Sequence, residues 1–237
     1  MLIYIDLKTT GYETNDKICA VAVLLIDNEK KEIIKEFIDP QKKVRPEASA
    51  VHHITNEMVK DTKSFEESSI KELLEKYNAP EHTLIGHNTP FIFQNLAKEG
   101  FIYQGSFIDT LKSTRVLIPE CEQFALQFLR YELGLYRVEN DLFKELNMDS
   151  QRTEIGNDAL HVRLLHLYLN DLADDERLQE LSSAPALLQK FGFGKYKGRY
   201  IEEIAMNDRG YLTWMLESME NLDEDMRYSI EHYLKMV

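Results

Sequence analysis

The chain has 237 residues, 43% of them hydrophobic, with only 6 Pro and 10 Gly, which describes an ordinary globular protein able to bury a full core. Its 28 Lys and Arg stand against 41 Asp and Glu, a net charge of −13 that opposes non-specific attraction to a polyanion. No run of about 18 apolar residues occurs, so no membrane insertion is expected. Cys19 and Cys121 lack metal-ligand spacing and the N-terminus lacks a leader-like pattern, so a cytoplasmic location is expected.

The first apolar run, Met1 to Asp6, predicts a strand, and Ile18 to Asp27 a second one too apolar to leave either face wet. Residues 28–31 read as a hairpin turn and Glu32 to Ile38 as the returning third strand. Pro40 to Pro46 is a polar loop. Ser64 to Tyr77 has helical spacing, with Phe65, Ile70, Leu73 and Leu74 on one face. Thr83 to Ile85 is a short buried strand, followed by the loop Gly86 to Pro90 and a helix from about Phe91. Ser106 to Asp109 is another short strand, leading into a helix through Arg115. Further helices are expected near 122–133 and 157–172. A three-strand meander followed by alternating strands and helices indicates an α/β fold built on a mixed sheet.

A charged stretch at 171–180 and the break at Ser182 to Pro185 precede a segment of different composition, Phe191 to Tyr200, with three basic residues, no acidic ones, four aromatics and three glycines. Helices follow at about 201–206, 210–218 and 223–236. The expected organisation is a domain over 1–182, a linker over 183–190 and a small, mainly helical module over 191–237. That module holds 6 basic and 9 acidic residues, so its basic segment is only a local patch.

The chemistry is concentrated in Asp6-Leu7-Lys8-Thr9-Thr10-Gly11. Side chains two apart on a strand leave the same face, so Asp6 and Lys8 point at one spot. This stretch resembles the first motif of the DEDD-type 3′–5′ exonucleases, in which Asp-x-Glu-Thr-x-Gly supplies two carboxylates to a pair of divalent ions. Ala50 to Val59, Ile85-Gly86-His87-Asn88-Thr89-Pro90-Phe91, Ile108 to Lys112 and Gly156-Asn157-Asp158-Ala159 resemble further segments of that family in the same order. Phe191 to Gly198 together with Gly210 to Trp214 resembles the C-terminal module of the exodeoxyribonuclease X family.

The resemblance implies a ribonuclease H-like fold and a site in which four carboxylates hold two Mg²⁺ or Mn²⁺ ions about 4 Å apart, with a histidine as general base. Carried over by position, Asp6 and Asp158 are present. Lys8, Ile92 and Thr153 stand where the resemblance implies a glutamate, an aspartate and the histidine. Asp6, Lys8 and Asp158 sum to −1, which leaves no case for two divalent ions, because such ions require oxygen ligands and an ammonium repels them. The expected arrangement is a metal-free cluster in which Lys8 pairs with both aspartates, and Ile92 makes the floor apolar. No cofactor is expected.

His87 and Asn88 are read as shaping the loop after a strand, His52 and His53 as loop or core histidines, and Asp109 as a helix N-cap. Glu154, Asp109 and Glu13 are the candidates for a compensating carboxylate, in which case Mg²⁺ or Mn²⁺ would be required. Contacts to nucleic acid or a nucleotide are expected from Lys8, Thr9, His87, Asn88, Lys195, Tyr196, Lys197 and Arg199, since cations interleaved with aromatics can bind phosphates and stack bases. The reading is a catalytically degenerate exonuclease-like scaffold for a protein partner or a single-stranded nucleic acid. Its rivals are an active exonuclease with displaced carboxylates and a nucleotide sensor with a phosphate on Lys8.

Overall fold

In a computed structural model, which describes all residues except 28–29, 147–154 and 221, the chain forms one five-stranded mixed sheet with helices on both faces, extended by a helical C-terminal region. The meander consists of β1 (Leu2–Thr9), β2 (Ile18–Asp27) and β3 (Lys30–Phe37). The short helices α1 (Pro46–His52) and α2 (Asn56–Val59) follow, then α3 (Ser69–Lys76). Next come β4 (Thr83–Gly86), α4 (Thr89–Lys98), β5 (Ser106–Asp109) and α5 (Thr110–Leu117). The helices α6 (Leu126–Glu132), α7 (Glu139–Glu145), α8 (Asn157–Asn170) and α9 (Asp175–Ser183) complete the first part. The C-terminal region carries α10 (Ile201–Asn207), α11 (Arg209–Ser218) and α12 (Glu224–Met236).

The strand order is β3-β2-β1-β4-β5, with antiparallel pairing in the meander and parallel pairing of β1 with β4 and of β4 with β5. Interior strand β2 is buried from Ile18 through Leu25, as an unbroken apolar run requires when helices cover both faces. Each of its buried Val and Leu side chains stabilises the fold by about 1.5–3 kcal/mol. One face of the sheet buries Ile3, Ile5 and Leu7 against α3 and α4, and the other buries Tyr4, Leu24 and Ile85 against α8 and its neighbours.

Several expected boundaries shift. The first strand does not stop at Asp6 but runs to Thr9, so Lys8 belongs to the sheet and pairs with Ala20; the register then slips between Lys8 and Thr9. The expected turn gives up Lys30 and Lys31 to β3, because Asp27 pairs directly with Lys30. The helical pattern over 64–77 divides into a 3-10 turn at Phe65–Glu67 and α3, where Ser68 accepts a bond from the Lys71 amide and caps the second piece. α4 starts two residues early and α6 four residues late, while α8 ends at Asn170. The loop over 40–46 ends as expected, but α1, α2 and α7 are short helices that tertiary packing supports without a long periodic signal. The charged stretch at 171–180 contributes α9, which buries Leu178 and lies against β5.

The stretch expected to be a linker is tied into the C-terminal core. Ala186 and Leu188 are buried there; the Ala186 amide donates to Asp225 Oδ1 (2.8 Å) and the Leu188 amide to Ser229 Oγ (2.7 Å). Lys112 Nζ of α5 lies 3.1 Å from Asp225 Oδ1 in a largely buried ion pair, and Val116 of the same helix packs on the C-terminal core. Among the described residues, no helix is long and apolar enough to cross a membrane.

Candidate functional site

Strand alternation brings Asp6 and Lys8 out on the face of β1 that α8 covers, and Asp158 meets them from the first turn of that helix. Lys8 Nζ lies 3.0 Å from Asp6 Oδ2 and donates a very short hydrogen bond to Asp158 Oδ2. The three side chains are only about a fifth to a quarter exposed (24%, 20% and 25% for Lys8, Asp6 and Asp158). Burial alone would lower the pKa of Lys8, but the two carboxylates outweigh it and raise the ammonium above its ordinary value. Burial raises Asp6 to about 6; Lys8 opposes that shift and Asp158 adds to it. Asp158 goes the other way: burial would raise it, but His161 and Lys8 hold it well below the usual carboxylate range. The result is one cation shared by two anions, with Asp158 as the firm carboxylate.

Behind the trio lies a second ring of polar groups that sequence reasoning did not find. Gln127 Nε2 of α6 is 2.5 Å from Asp158 Oδ1 and 3.1 Å from His161 Nδ1. Buried His161 lies between Asp158 Oδ1 and Glu139 Oε2, at 3.4 Å from each. Glu139 is held in turn by Arg130, through Nε at 2.5 Å and through a second, shorter bond from Nη2. Such a bidentate pair satisfies a buried carboxylate. The available signal was position: His161 is three residues after Asp158 on one helix and shares its face. Nothing in the sequence could have placed Gln127 or Glu139, which arrive from other helices.

The remaining candidate positions separate clearly. Ile92 is 3% exposed and belongs to the same core cluster as Ile5 and Leu7; its Cδ1 lies so close over Gly86 that a Cβ there would sit 2.4 Å away. Asp109, 3% exposed, accepts from the amides of Leu111 (2.9 Å) and Lys112 (3.2 Å), capping α5. It also accepts from the Asn88 amide (3.2 Å) and from the Thr89 amide and hydroxyl (2.8 and 2.9 Å), closing the start of α4. Five donors leave it no capacity for a metal. Glu13 bonds Arg45 at the surface. Thr153 and Glu154 lie outside the described residues.

His87 bridges Thr110 Oγ1 (3.0 Å) and the Phe124 carbonyl (2.8 Å), and burial lowers its pKa. Asn88 takes the left-handed conformation (φ 74°) at the turn into α4. Thr9 is buried and donates to the Gly11 carbonyl (2.6 Å), away from the open cleft. His52 lies 3.1 Å from the Thr9 carbonyl and accepts from the Ile54 amide, while His53 ends α1 in the left-handed conformation.

Asp6, His87, Asn88 and Ile92 line a cavity of about 1220 Å³ whose far wall is the segment Leu188–Gly198. Of the basic segment, only Lys197 faces this cavity. Lys195 lies over the rings of Tyr196 and Tyr211 (4.5 and 5.6 Å to the centroids) and pairs with Asp208; Tyr196 donates to the same carboxylate, and Arg199 pairs with Glu203.

The donor set can be tested against the two-metal chemistry implied by the resemblance. Among the described residues, no three Asp, Glu, His or Cys side chains form a metal-binding group. Two of the implied ligand positions are occupied by an ammonium and a core isoleucine. These residues do not fit a pair of divalent ions.

The sheet order, the helix that brings Asp158 to β1 and the cleft at the parallel-strand ends define an exonuclease-type ribonuclease H-like domain. The chain belongs to the exonuclease family: residues 3–140 match the family described as Exonuclease, and residues 191–220 match the exodeoxyribonuclease X-like C-terminal family. It is 25% identical to exodeoxyribonuclease 10 of Escherichia coli strain K12 over 99% of both chains. It is 29% identical to the 3′–5′ exonuclease DinG of Bacillus subtilis over 56% of this chain and 15% of that one. Among solved structures, exonuclease X in complex with 5′-overhanging duplex DNA is similar in fold, with a TM-score of 0.57 at 21% identity over 77% of this chain and 100% of that chain. An exonuclease I structure has a TM-score of 0.54 at 15% identity over 76% and 42%.

Proposed function

We propose that this protein is a catalytically silent member of the exonuclease family that keeps its cleft as a metal-independent binding site. The observation that carries this reading is the position of Lys8 Nζ, bonded at once to Asp6 and Asp158. Hydrolysis in the family's manner needs the space between the carboxylates for divalent ions that clamp the attacking and leaving oxygens. Here an ammonium takes that space and neutralises half the local charge. Three supports are independent of it: Ile92 is packed into the core, Asp109 is fully used as a cap, and Glu13 is paired with Arg45. A phosphate on Lys8 is disfavoured on separate grounds, because the trio sums to −1 and the Asn88 and Thr89 amides already donate to Asp109.

The test is hydrolysis of labelled single-stranded DNA with Mg²⁺ and with Mn²⁺, paired with calorimetric titration of Mn²⁺ into the protein. No product and no metal-binding heat are expected. Product formation that disappears in Asp158→Ala would overturn the proposal in favour of an active exonuclease.

A further inference from the structure

The cavity beside the Lys8 cluster is walled by main chain on two sides. Pro119 to Ala125 line it as one unbroken run and Leu188 to Phe193 as another. A helix or strand would turn only every second to fourth residue toward such a space, so these walls present backbone as well as side chains. The run after α5 contains no helix or strand, and the amides of Glu122, Gln123, Phe124 and Ala125 find no acceptor among the described residues. The opposite run spends part of its groups: the Gln189 carbonyl accepts from the Ile201 amide (2.9 Å) and the Phe191 amide donates to the Arg199 carbonyl (3.0 Å). The Lys190 amide and carbonyl alternate to the other side and make no backbone bond among the described residues.

The charge of the lining is mixed, and the two walls differ in sign. On the first, Arg115 stands against Glu120 and Glu122; on the second, Lys190 and Lys197 stand against Asp223, which also caps α12 through the Met226 amide (3.1 Å). Arg115, Glu120, Glu122, Lys190 and Lys197 make no ion pair among the described residues. With Asp6 at the floor, the lining holds four acidic residues and three basic ones, in a chain of net charge −13, so a polyanion meets repulsion here. The free amides share their run with two glutamates, which repel a phosphate but not the neutral carbonyl of a peptide. Phe91, Phe124 and Phe193, the last 40% exposed, supply apolar surface in the same space.

We propose that this cleft holds an extended peptide segment of a partner protein, with an apolar side chain seated on Phe91, Phe124 and Phe193 and residues of both charge signs beside it. The proposal rests on the reading of the cleft as a metal-independent binding site and names the class of its occupant. A peptide carries N–H and C=O groups along its whole length, so it bonds the free amides of one wall and Lys190 of the other. Its basic side chains meet Glu120 and Glu122, and its acidic ones meet Lys190 and Lys197. A nucleic-acid strand offers phosphates to both walls and loses on one what it gains on the other. The cavity, about 1220 Å³, exceeds the roughly 300–1,000 Å³ of a small-molecule pocket, as a chain segment requires.

The experiment is selection of a random dodecapeptide display library on the full-length protein in EDTA, followed by fluorescence anisotropy of the most enriched peptide. Enriched sequences should share an aromatic or branched apolar residue with an acidic and a basic residue close by. Lys190→Glu/Lys197→Glu should weaken the selected peptide about tenfold, and changing the peptide's acidic residues to lysine should recover most of that loss. Phe193→Ala should weaken it about tenfold, since an anchor on an apolar surface carries much of the binding energy. Lys195→Gln, whose lysine pairs with Asp208, is the control and should bind as the wild type does; melting midpoints establish that all variants fold. Failure to enrich any sequence, or unchanged binding by the charge-reversed variant or by Phe193→Ala, overturns the proposal. So does oligothymidine that displaces the peptide at equal or lower concentration, which assigns the cleft to nucleic acid and leaves its reading as a metal-independent binding site intact. Because metal is absent throughout, hydrolysis and Mn²⁺ calorimetry test that reading separately.

Discussion

Asp109 and Asp158 are both acidic residues at the start of a helix, yet they are held by different means. Asp109 is satisfied mainly by backbone: four amides and one hydroxyl, from the starts of α4 and α5. Asp158 is satisfied by side chains alone, from Lys8, Gln127 and His161. A carboxylate held by backbone amides is fixed by the fold itself, since any sequence that keeps those helices keeps its donors. One held by side chains is fixed by particular residues and can be reassigned by replacing them. The charge balance at Asp158 is of this second kind, resting on Lys8, Gln127 and His161 and not on the backbone.

The largest effect expected from this contrast is at Asp109. Asp109→Ala removes two helix caps and leaves buried amides unpaired, and should lower stability by about 4 kcal/mol, read by urea denaturation. A loss under about 1 kcal/mol would break the contrast. Lys8→Met comes next. Removing one partner of a buried ion cluster leaves two facing carboxylates; since the groups are about a fifth exposed, the loss should be about 2–3 kcal/mol. In this variant alone, Mn²⁺ should raise the melting midpoint, because two unneutralised carboxylates attract a cation. A wild-type protein that Mn²⁺ stabilises equally would contradict the role given to Lys8.

Asp16 sharpens the comparison by mixing both modes. Burial would raise its pKa, but the Glu13 amide, the Thr10 hydroxyl and Lys42 outweigh that and hold it at about 2. A depressed carboxylate contributes stability that is present above its unfolded pKa near 4 and is lost as pH falls toward 2. Asp16→Asn should therefore remove about 2 kcal/mol of acid sensitivity in that window, measured as the difference in unfolding free energy between pH 4 and pH 2. An unchanged acid slope would assign the stabilisation elsewhere. The smallest expected effect is on activity: Lys8→Glu alone should produce no metal-dependent nuclease activity, because Ile92 and Thr153 remain in place. Detectable cleavage by that single variant would show that the two other changes do not matter.

Much of the fold was legible in the chain. Ile18 to Asp27 is a strand with the expected bounds because a long apolar run bordered by polar turns admits little else. The meeting of Asp6, Lys8 and Asp158 could be read from alternation along β1 and from the motif order. The short helices α1, α2 and α7 could not, since pieces of one or two turns carry almost no periodicity and depend on what they pack against. The ring of Gln127, His161, Glu139 and Arg130 was hidden for a related reason. Its members come from three helices and a polar group's partner across a helix interface leaves no mark at fixed spacing. The basic segment was visible as composition, but composition could not say that Lys195 and Arg199 are spent on Asp208 and Glu203 while Lys197 turns to the cleft.

The shared ammonium also governs which neighbouring sequences this protein can reach. Converting Lys8 to glutamate by itself sets three carboxylates together without the ammonium that pairs them, and converting Ile92 to aspartate by itself buries an unpaired charge in the core of Ile5 and Leu7. Either step toward a metal centre passes through a less stable molecule unless a divalent ion is bound as the change occurs. In the proposed metal-independent site, Lys8 thus works as a ratchet, holding the protein away from a metal centre through the energetics of the intermediate forms.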